Sequence, residues 1–535
     1  MRARQKGDGI MNVLIAEPMA QAGIELFQAQ QGWNVIVSNP KEYAKHLAEA
    51  DALVVRSAVQ VTPQVLKQAP KLRVIGRAGV GVDNVDLPAA TAAGILVMNT
   101  PGGNAVSVAE HTIALMLSMA RFIPQASAST KAGKWEKKKF LGSELRGKMI
   151  GVIGLGSIGR EVVKRARAFE MRVRAHDPYV TAQFAKDLGI QLVSLQELYK
   201  NSDYITVHVS LTPETDKLLN KEAFAQMKTG VRIVNCARGE LLDEAALKEA
   251  IESGKVAGAA LDVFLKEPTD SSHPLFALDQ VLATPHIGGS TEEAQEIVGV
   301  RIAEQIVEYL QNDVAINAVN MPAMSPEQYK SAGPYVDLAG RLGHFAAHLI
   351  NGNPTAVRLT YFGKIAELNT SLLRNAGLAG VLNRSTAPSK ANVVNAMQLA
   401  ADRGWNVAEV HDKRSAHSDT VRLEVETDSG ITTVEGAVVL GKPRLMHVDG
   451  IYCEASLAGP LVLVKNLDVP GVVGHIGTIL GTNNINIANF SLGRRDSGEQ
   501  EAMAVVTTDT LVPQNVLDML MSNPAVKIAR SVQIA

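Results

Sequence analysis

The stretch Lys148–Gly159, KMIGVIGLGSIG, decides how this chain is read. Its first half is a short apolar run of the kind that forms a buried strand, and Gly154, Gly156 and Gly159 follow at the spacing of a strand-to-helix turn. Each glycine has its own duty in such a turn: the tight bend, close approach of backbone to a pyrophosphate, and close packing of helix on strand. A helix opening near Ser157 and Ile158 offers free N–H groups to phosphate. The next apolar run, RVRAHD, ends on Asp177, about where ribose hydroxyls are accepted, and an acid there repels a 2′-phosphate. A glycine spacing alone is weak, and a structural turn with a solvated aspartate is the plainer alternative. Strand before, helix after and acid beyond together point to a dinucleotide site for NAD rather than NADP.

Working outward, short apolar runs alternate with amphipathic segments from Met11 to about residue 322. NVLIAEP, WNVIVS, DALVVRS and LRVIGRAG read as strands of a first unit. KMIGVIG, RVRAHD, YITVHV, RIVNCA, AGAALDV and QVLATPH read as strands of a second. That alternation predicts an α/β protein with two doubly wound, Rossmann-like parallel sheets. The division expected is 11–107 with 296–322 as a substrate-binding domain, the later segment folding back, and 108–295 as the NAD-binding domain. Residues 323–455 change character, with VRLEVET, TTVEGAVVL and RLMHVDG as antiparallel strands of an α+β intervening domain. Residues 460–535 read β-α-β-β-α-β, a ferredoxin-like sandwich. Residues 1–10 read as a disordered extension or an alternative start.

Composition sets limits. At 535 residues the chain holds roughly three or four domains. A formal net charge of -1 provides no global field for nucleic acid or an anionic membrane, so an anionic substrate must be held by local basic residues. Two cysteines, Cys236 and Cys453, exclude a disulfide framework and a cysteine metal site and fit a reducing cytoplasm. No metal site and no spanning helix is expected: the longest apolar stretch, Val108–Phe122, is too short and carries Glu110, His111 and Arg121.

Three later strands are each followed by a reactive side chain. Arg238 follows RIVNCA, Asp262 and Glu267 follow AGAAL, and His286 follows VLATP. Ligands of open parallel sheets sit at the carboxyl ends of strands, so these groups converge near a nicotinamide. Removing hydride from a hydroxyl-bearing carbon requires a base near neutrality, which histidine supplies. A neighbouring carboxylate orients the imidazole, and a guanidinium fork holds a carboxylate. Singly, each has a dull explanation: a loop histidine, a surface acid, a cap. Cys236 reads as a small packed residue.

These motifs carry a resemblance. NCARGELLDEAAL, LDVFLKEP and TPHIGGST resemble the Arg, Glu and His motifs of the D-2-hydroxyacid dehydrogenases, in family order. VRSAVQVT, GRAGVGVDNVDL and NTPGGNAVSVAEH resemble the same family, especially its phosphoglycerate dehydrogenases. The resemblance covers residues 11–322. It implies Arg238 on substrate, Glu267 supporting the base and His286 as acid/base. It also implies cofactor contacts at Gly154, Gly156, Ser157, Ile158, Gly159, Asp177, Val209, Cys236, Asp262, His286, Gly289 and Val80. Val80 departs from the family, which often has Thr there; a backbone contact survives the change and a hydroxyl contact does not. Arg56, Ser57, Arg77 and Asn104 are implied around substrate, with a basic run at Lys134 and Lys137–Lys139 as a further candidate.

The last segment, LDVPGVVGHIGTILGTNNINIANFSLGR, resembles an ACT domain, and Asp468 and Asn486 are its effector candidates, serine being the effector in such dehydrogenases. LNRSTAPSKANVVNAMQLAADRGWNVAEVHD resembles the intervening domain of the longer forms. The function implied is NAD-dependent oxidation of 3-phospho-D-glycerate to 3-phosphooxypyruvate, opening serine biosynthesis, in a cytoplasmic homotetramer. The alternatives are another 2-hydroxy acid, such as 2-hydroxyglutarate, or a non-catalytic dinucleotide-sensing scaffold.

Overall fold

Five short strands open the chain: β1 Met11–Ile15, β2 Trp33–Val37, β3 Ala52–Val55, β4 Val74–Arg77 and β5 Leu96–Met98. The computed structural model describes residues 10–322, 324, 326–383, 391–413, 419–495 and 501–534. The expected N-terminal extension thus lies outside the described residues except for Ile10, as do 384–390 of the LNRSTAPSK stretch. The five strands are parallel, in the order β2-β1-β3-β4-β5. Parallel strands need crossovers that cover both faces, which is why β3, ALVV, is buried at every position.

Seven more strands follow: β6 Met149–Ile153, β7 Arg172–His176, β8 Gln191–Leu192, β9 Tyr204–Val207, β10 Val231–Asn235, β11 Val256–Leu261 and β12 Val281–Ala283. They too are parallel, in the order β12-β11-β10-β9-β6-β7-β8. The order reverses between β6 and β9, and the crevice beyond the carboxyl ends at such a point is where an open sheet binds ligands.

The chain crosses between these two sheets twice. After β5 it runs through Thr100–Asn104 into helix Ala105–Arg121, whose Val108, Ile113 and Met116 join the core of the second sheet. After β12 it returns into helix Glu292–Asn312, which lies against helix Gln21–Gln28 and sets Ile302 and Ile306 in the core of the first sheet. Thr291 starts that helix by accepting the Ala294 N–H at 3.1 Å, and Glu292 and Glu293 complement its dipole. The crossings touch. The Ser107 and Thr291 hydroxyls are 2.8 Å apart, and a Cβ on Gly289 would stand 2.9 Å from Asn104 Nδ2. Among the described residues no single helix is long and apolar enough to cross a membrane.

Beyond them, helices Pro326–Leu349 and Ser371–Leu382 pack on a sheet ordered β14-β13-β15-β16-β17-β18. Its strands are β13 Pro354–Phe362, β14 Asn406–Asp412, β15 Thr420–Thr427, β16 Gly430–Val439, β17 Lys442–Val448 and β18 Ile451–Ser456. The three expected antiparallel strands are β15, β16 and β17. Strands β13 and β14, a parallel pair, were not expected: β13 buries Leu359, Thr360 and Tyr361 in succession and so lacks strict alternation.

The final strands, β19 Gly459–Leu467, β20 Ile487–Arg494, β21 Glu501–Thr508 and β22 Val526–Ile534, are antiparallel in the order β20-β21-β19-β22. Helices Val472–Thr482 and Gln514–Met521 cover one face through Val462, Val464, Ala504 and Val506. The opposite face, Leu461, Leu463, Met503 and Val505, merges with the core of the intervening domain. Asn486 stands just ahead of β20 rather than inside a strand, a correction to the sequence expectation.

Candidate active site

The glycine turn sits between the ends of β6 and β9. Gly154 takes φ +94°, and a Cβ there would meet the His208 carbonyl at 2.7 Å and Val209 Cγ1 at 2.9 Å. A Cβ on Gly159 would stand 2.0 Å from the Gly154 carbonyl, so the helix reaches the strand only because both residues lack one. Around Gly156 the space is open, and helix Ser157–Ala168 begins there with no side-chain cap. Its first N–H groups are therefore available to phosphate.

Asp177 accepts the Leu155 N–H at 2.8 Å with one oxygen and the Tyr179 N–H at 2.9 Å with the other. It thus ties the turn to the end of β7 while keeping lone pairs for ribose hydroxyls. His208 Nδ1, beside the turn, is buried without a hydrogen-bond partner among the described residues. An open glycine turn, an uncapped helix and an unpartnered polar atom fit a dinucleotide.

The reactive end is built by β10, β11 and β12, neighbours in the sheet. His286 Nδ1 lies 2.6 Å from Glu267 Oε2, and Glu267 Oε1 accepts the Phe264 N–H at 3.0 Å. Burial raises the Glu267 pKa, but the bonds from His286 and Phe264 outweigh it and hold the carboxyl below its usual range. An ionised carboxylate only accepts, so the proton lies on His286 Nδ1 and Nε2 is left as the basic nitrogen. His286 takes φ +54°, a left-handed conformation that costs about 1–2 kcal/mol in a residue with a Cβ.

That strain is held by Asp262, which is 1% exposed. Its Oδ1 accepts from Thr284 Oγ1 (2.6 Å) and the Ile287 N–H (2.9 Å), and its Oδ2 accepts from the Gly288 N–H (2.8 Å). His111 Nε2 completes the set, 3.3 Å from Oδ1. Burial raises the Asp262 pKa, and these bonds together pull it lower. Both oxygens are occupied by the loop that carries His286, so in this structure Asp262 acts through that loop.

The first sheet contributes arginines. Arg56 follows β3 and Arg77 ends β4, and Arg77 feels the charges of Arg238, beyond β10, and of Arg56. Arg77 is pushed down to about 10 by burial and then by Arg238, yet stays charged at neutral pH. Arg77 Nε and Asn104 Oδ1 are buried without hydrogen-bond partners among the described residues. Arg56 donates to the Pro18 carbonyl at 3.0 Å. Arg238 Nε donates to Asp83 Oδ2 at 2.9 Å and its Nη1 to the Ala237 carbonyl at 2.6 Å. Gly102 approaches Ser157, a Cβ on Gly102 being 3.4 Å from Ser157 Oγ, so the two sheets meet beside the glycine turn. Val80 accepts the Asn99 side chain through its carbonyl, a backbone contact that valine permits.

Sequence reasoning missed Glu17 and Asp83. Glu17, 6% exposed and just past β1, accepts the N–H groups of Arg56 (2.8 Å), Ala58 (3.0 Å) and Val59 (2.9 Å), clamping the loop that carries Arg56 and exposed Ser57. Its place at a strand's carboxyl end was the available signal. Lys134 and Lys137–Lys139 are exposed. Cys236 is buried, and burial pushes its thiol up to about 12, consistent with packing.

Asp468 and Asn486 are not brought together within one chain. Asp468 pairs with Arg494 at 3.3 Å, at the end of β20 opposite Asn486, which donates to Asp509 at 3.0 Å.

Comparison with known proteins agrees with this geometry. Residues 113–288 match the family model for the D-isomer specific 2-hydroxyacid dehydrogenase NAD binding domain. Residues 331–449 match the D-3-phosphoglycerate dehydrogenase intervening domain, and 461–523 the ACT domain. Two of the similar solved structures each cover more than half of this chain. They are D-lactate dehydrogenase from Escherichia coli (TM-score 0.52, 30% identity, 58% of this chain and 100% of that one) and an NAD-dependent formate dehydrogenase from Staphylococcus aureus in complex with NAD (0.52, 30%, 59% and 100%). A base set by a carboxylate at the reactive end of such a dinucleotide fold defines an NAD-dependent D-2-hydroxyacid dehydrogenase.

Full-length relatives narrow the class. D-3-phosphoglycerate dehydrogenase of Methanocaldococcus jannaschii is 41% identical, covering 97% of this chain and 99% of the relative. That of Bacillus subtilis is 38% identical, covering 96% and 98%. The chain belongs to the D-3-phosphoglycerate dehydrogenase family, in its long form with intervening and ACT domains.

Proposed function

We propose that this chain oxidises 3-phospho-D-glycerate to 3-phosphooxypyruvate, the entry to serine synthesis, with His286 as base, Glu267 as its support and Arg238 as carboxylate anchor. The observation that carries the reading is the His286–Glu267 pair at 2.6 Å, on the sheet whose Arg238 reaches Asp83 of the first sheet at 2.9 Å. NAD, when bound, would supply the hydride acceptor for C2. His286 Nε2 takes the C2 hydroxyl proton while Glu267 holds Nδ1–H and stabilises the imidazolium that forms. Arg238 holds the carboxylate, and Arg56 and Arg77 supply positive charge for the phosphate or carboxylate at the far side of the cleft. Glu17 keeps the Arg56–Val59 loop in shape. Gly156, Ser157, Ile158 and Asp177 would hold the cofactor's pyrophosphate and ribose, and closure of the two sheets excludes water.

The ACT region is assigned to serine sensing. Because Asp468 and Asn486 lie at opposite ends of β20, one effector meets both only when a second copy pairs alongside, which favours a homo-oligomer, a tetramer by resemblance. Turnover of 3-phosphoglycerate against 2-hydroxyglutarate, by wild type and His286→Ala with and without serine, tests the whole reading. Preference for 2-hydroxyglutarate overturns the substrate, unchanged turnover in His286→Ala overturns the base, and indifference to serine overturns the sensor.

A further inference from the structure

Asp83 is a carboxylate set among cations. It lies in the loop after β4, on the first sheet's side of the cleft, and its Oδ2 accepts Arg238 Nε from the second sheet at 2.9 Å. The loop is shaped for this meeting. A Cβ on Gly81 would stand 1.7 Å from Arg238 Nη2 and 2.8 Å from Asp83 Oδ2, so guanidinium and carboxylate share the bare face of one glycine. Asp83 also offsets the repulsion that Arg77 feels from Arg238 and Arg56. Its side chain is 63% exposed, and an ion pair of that exposure contributes little to folding. Stability therefore does not account for an acid in an anion-binding cleft.

We propose that Asp83 is a positioning residue for Arg238. By taking Nε, while the Ala237 carbonyl takes Nη1, it fixes the plane of the guanidinium across the cleft and leaves Nη2, over Gly81, turned to the substrate carboxylate. The inference rests on Arg238 being the carboxylate anchor.

The test is steady-state turnover of 3-phosphoglycerate by full-length wild type, Asp83→Ala and Asp83→Asn, with NADH binding followed by fluorescence and folding by thermal melting. Asp83→Ala is expected to raise KM for 3-phosphoglycerate about tenfold, with kcat within about threefold and NADH affinity and melting unchanged. Asp83→Asn keeps an oxygen acceptor for Nε and is expected to recover most of the loss, a rescue that a merely structural role would not produce. An unchanged KM in Asp83→Ala overturns the proposal, and so does an Asn variant as impaired as the Ala variant. If Asp83→Ala fails to fold, Asp83→Ser decides by the same KM criterion. Absence of wild-type turnover instead overturns the substrate reading itself, which separates the two failures.

Discussion

Glu267 Oε2 stands 2.6 Å from His286 Nδ1, joining the loops that follow β11 and β12. The contact sets the tautomer: the carboxylate claims the Nδ1 proton and leaves Nε2 as the basic nitrogen. Glu267→Gln keeps the shape but removes the charge, and kcat is expected to fall by about one to two orders of magnitude with NADH affinity unchanged. His286→Ala falls further, by about 10²–10⁴. Stopped-flow and steady-state rates of NADH formation check both.

The same pair predicts a pH response. The Glu267 pKa is lowered, burial raising it and the His286 and Phe264 bonds winning. A depressed carboxylate makes its contribution above its ordinary value and loses it as pH falls through the lowered one. Protonation of Glu267 should therefore cut kcat/KM only below the ordinary carboxylate range. Wild-type profiles should show no carboxylate limb between about pH 5 and 9; one that disappears in Glu267→Gln would contradict the assignment.

Gly81→Ala is expected to behave as a site lesion in an intact fold. Its Cβ would meet the far end of the Arg238 side chain, which can move, rather than backbone. Melting should change by no more than a degree or two, about the size of a neutral surface change. KM for 3-phosphoglycerate should rise about tenfold as the guanidinium is displaced. A large drop in melting temperature would show that the loop, not the arginine, is what the glycine serves.

Removing Asp262 strands two backbone donors, Ile287 and Gly288, under the His286 loop. Asp262→Ala is expected to destabilise by about 1–3 kcal/mol per stranded donor at most, and to lower kcat as His286 leaves its strained conformation. Urea unfolding and kcat measured on the same preparation would test the coupling; loss of stability at full activity would break it.

Both thiols are predicted to be silent. Burial pushes Cys236 up to about 12 and Cys453 up to about 11, so neither forms thiolate near neutrality. Iodoacetamide should label neither in the native protein and both after denaturation, as peptide mass mapping will report.

Legibility differed by residue. Arg56, Arg77, Arg238, Asp262 and His286 were readable because each ends or closely follows a parallel strand, where apolar runs stop abruptly and ligands gather. The glycine turn was readable because its spacing has a local mechanical cause. Glu17 and Asp83 were not, since each is defined by a partner far along the chain: the Arg56 N–H lies 39 positions from Glu17, and Arg238 lies 155 from Asp83. Strand β13 was obscured by burial on consecutive positions, and the distance between Asp468 and Asn486 follows from register, which no local pattern encodes.

The two chain crossings between the sheets have a mechanical consequence. Asn104 against Gly289, and Ser107 against Thr291, make them a paired strap instead of two separate strings. A single string leaves bending and twisting free, whereas adjacent straps resist twist and permit one swing about their common line. Arg238 and Asp83, whose contact bridges the two sheets, are therefore held against relative twist by the same strap.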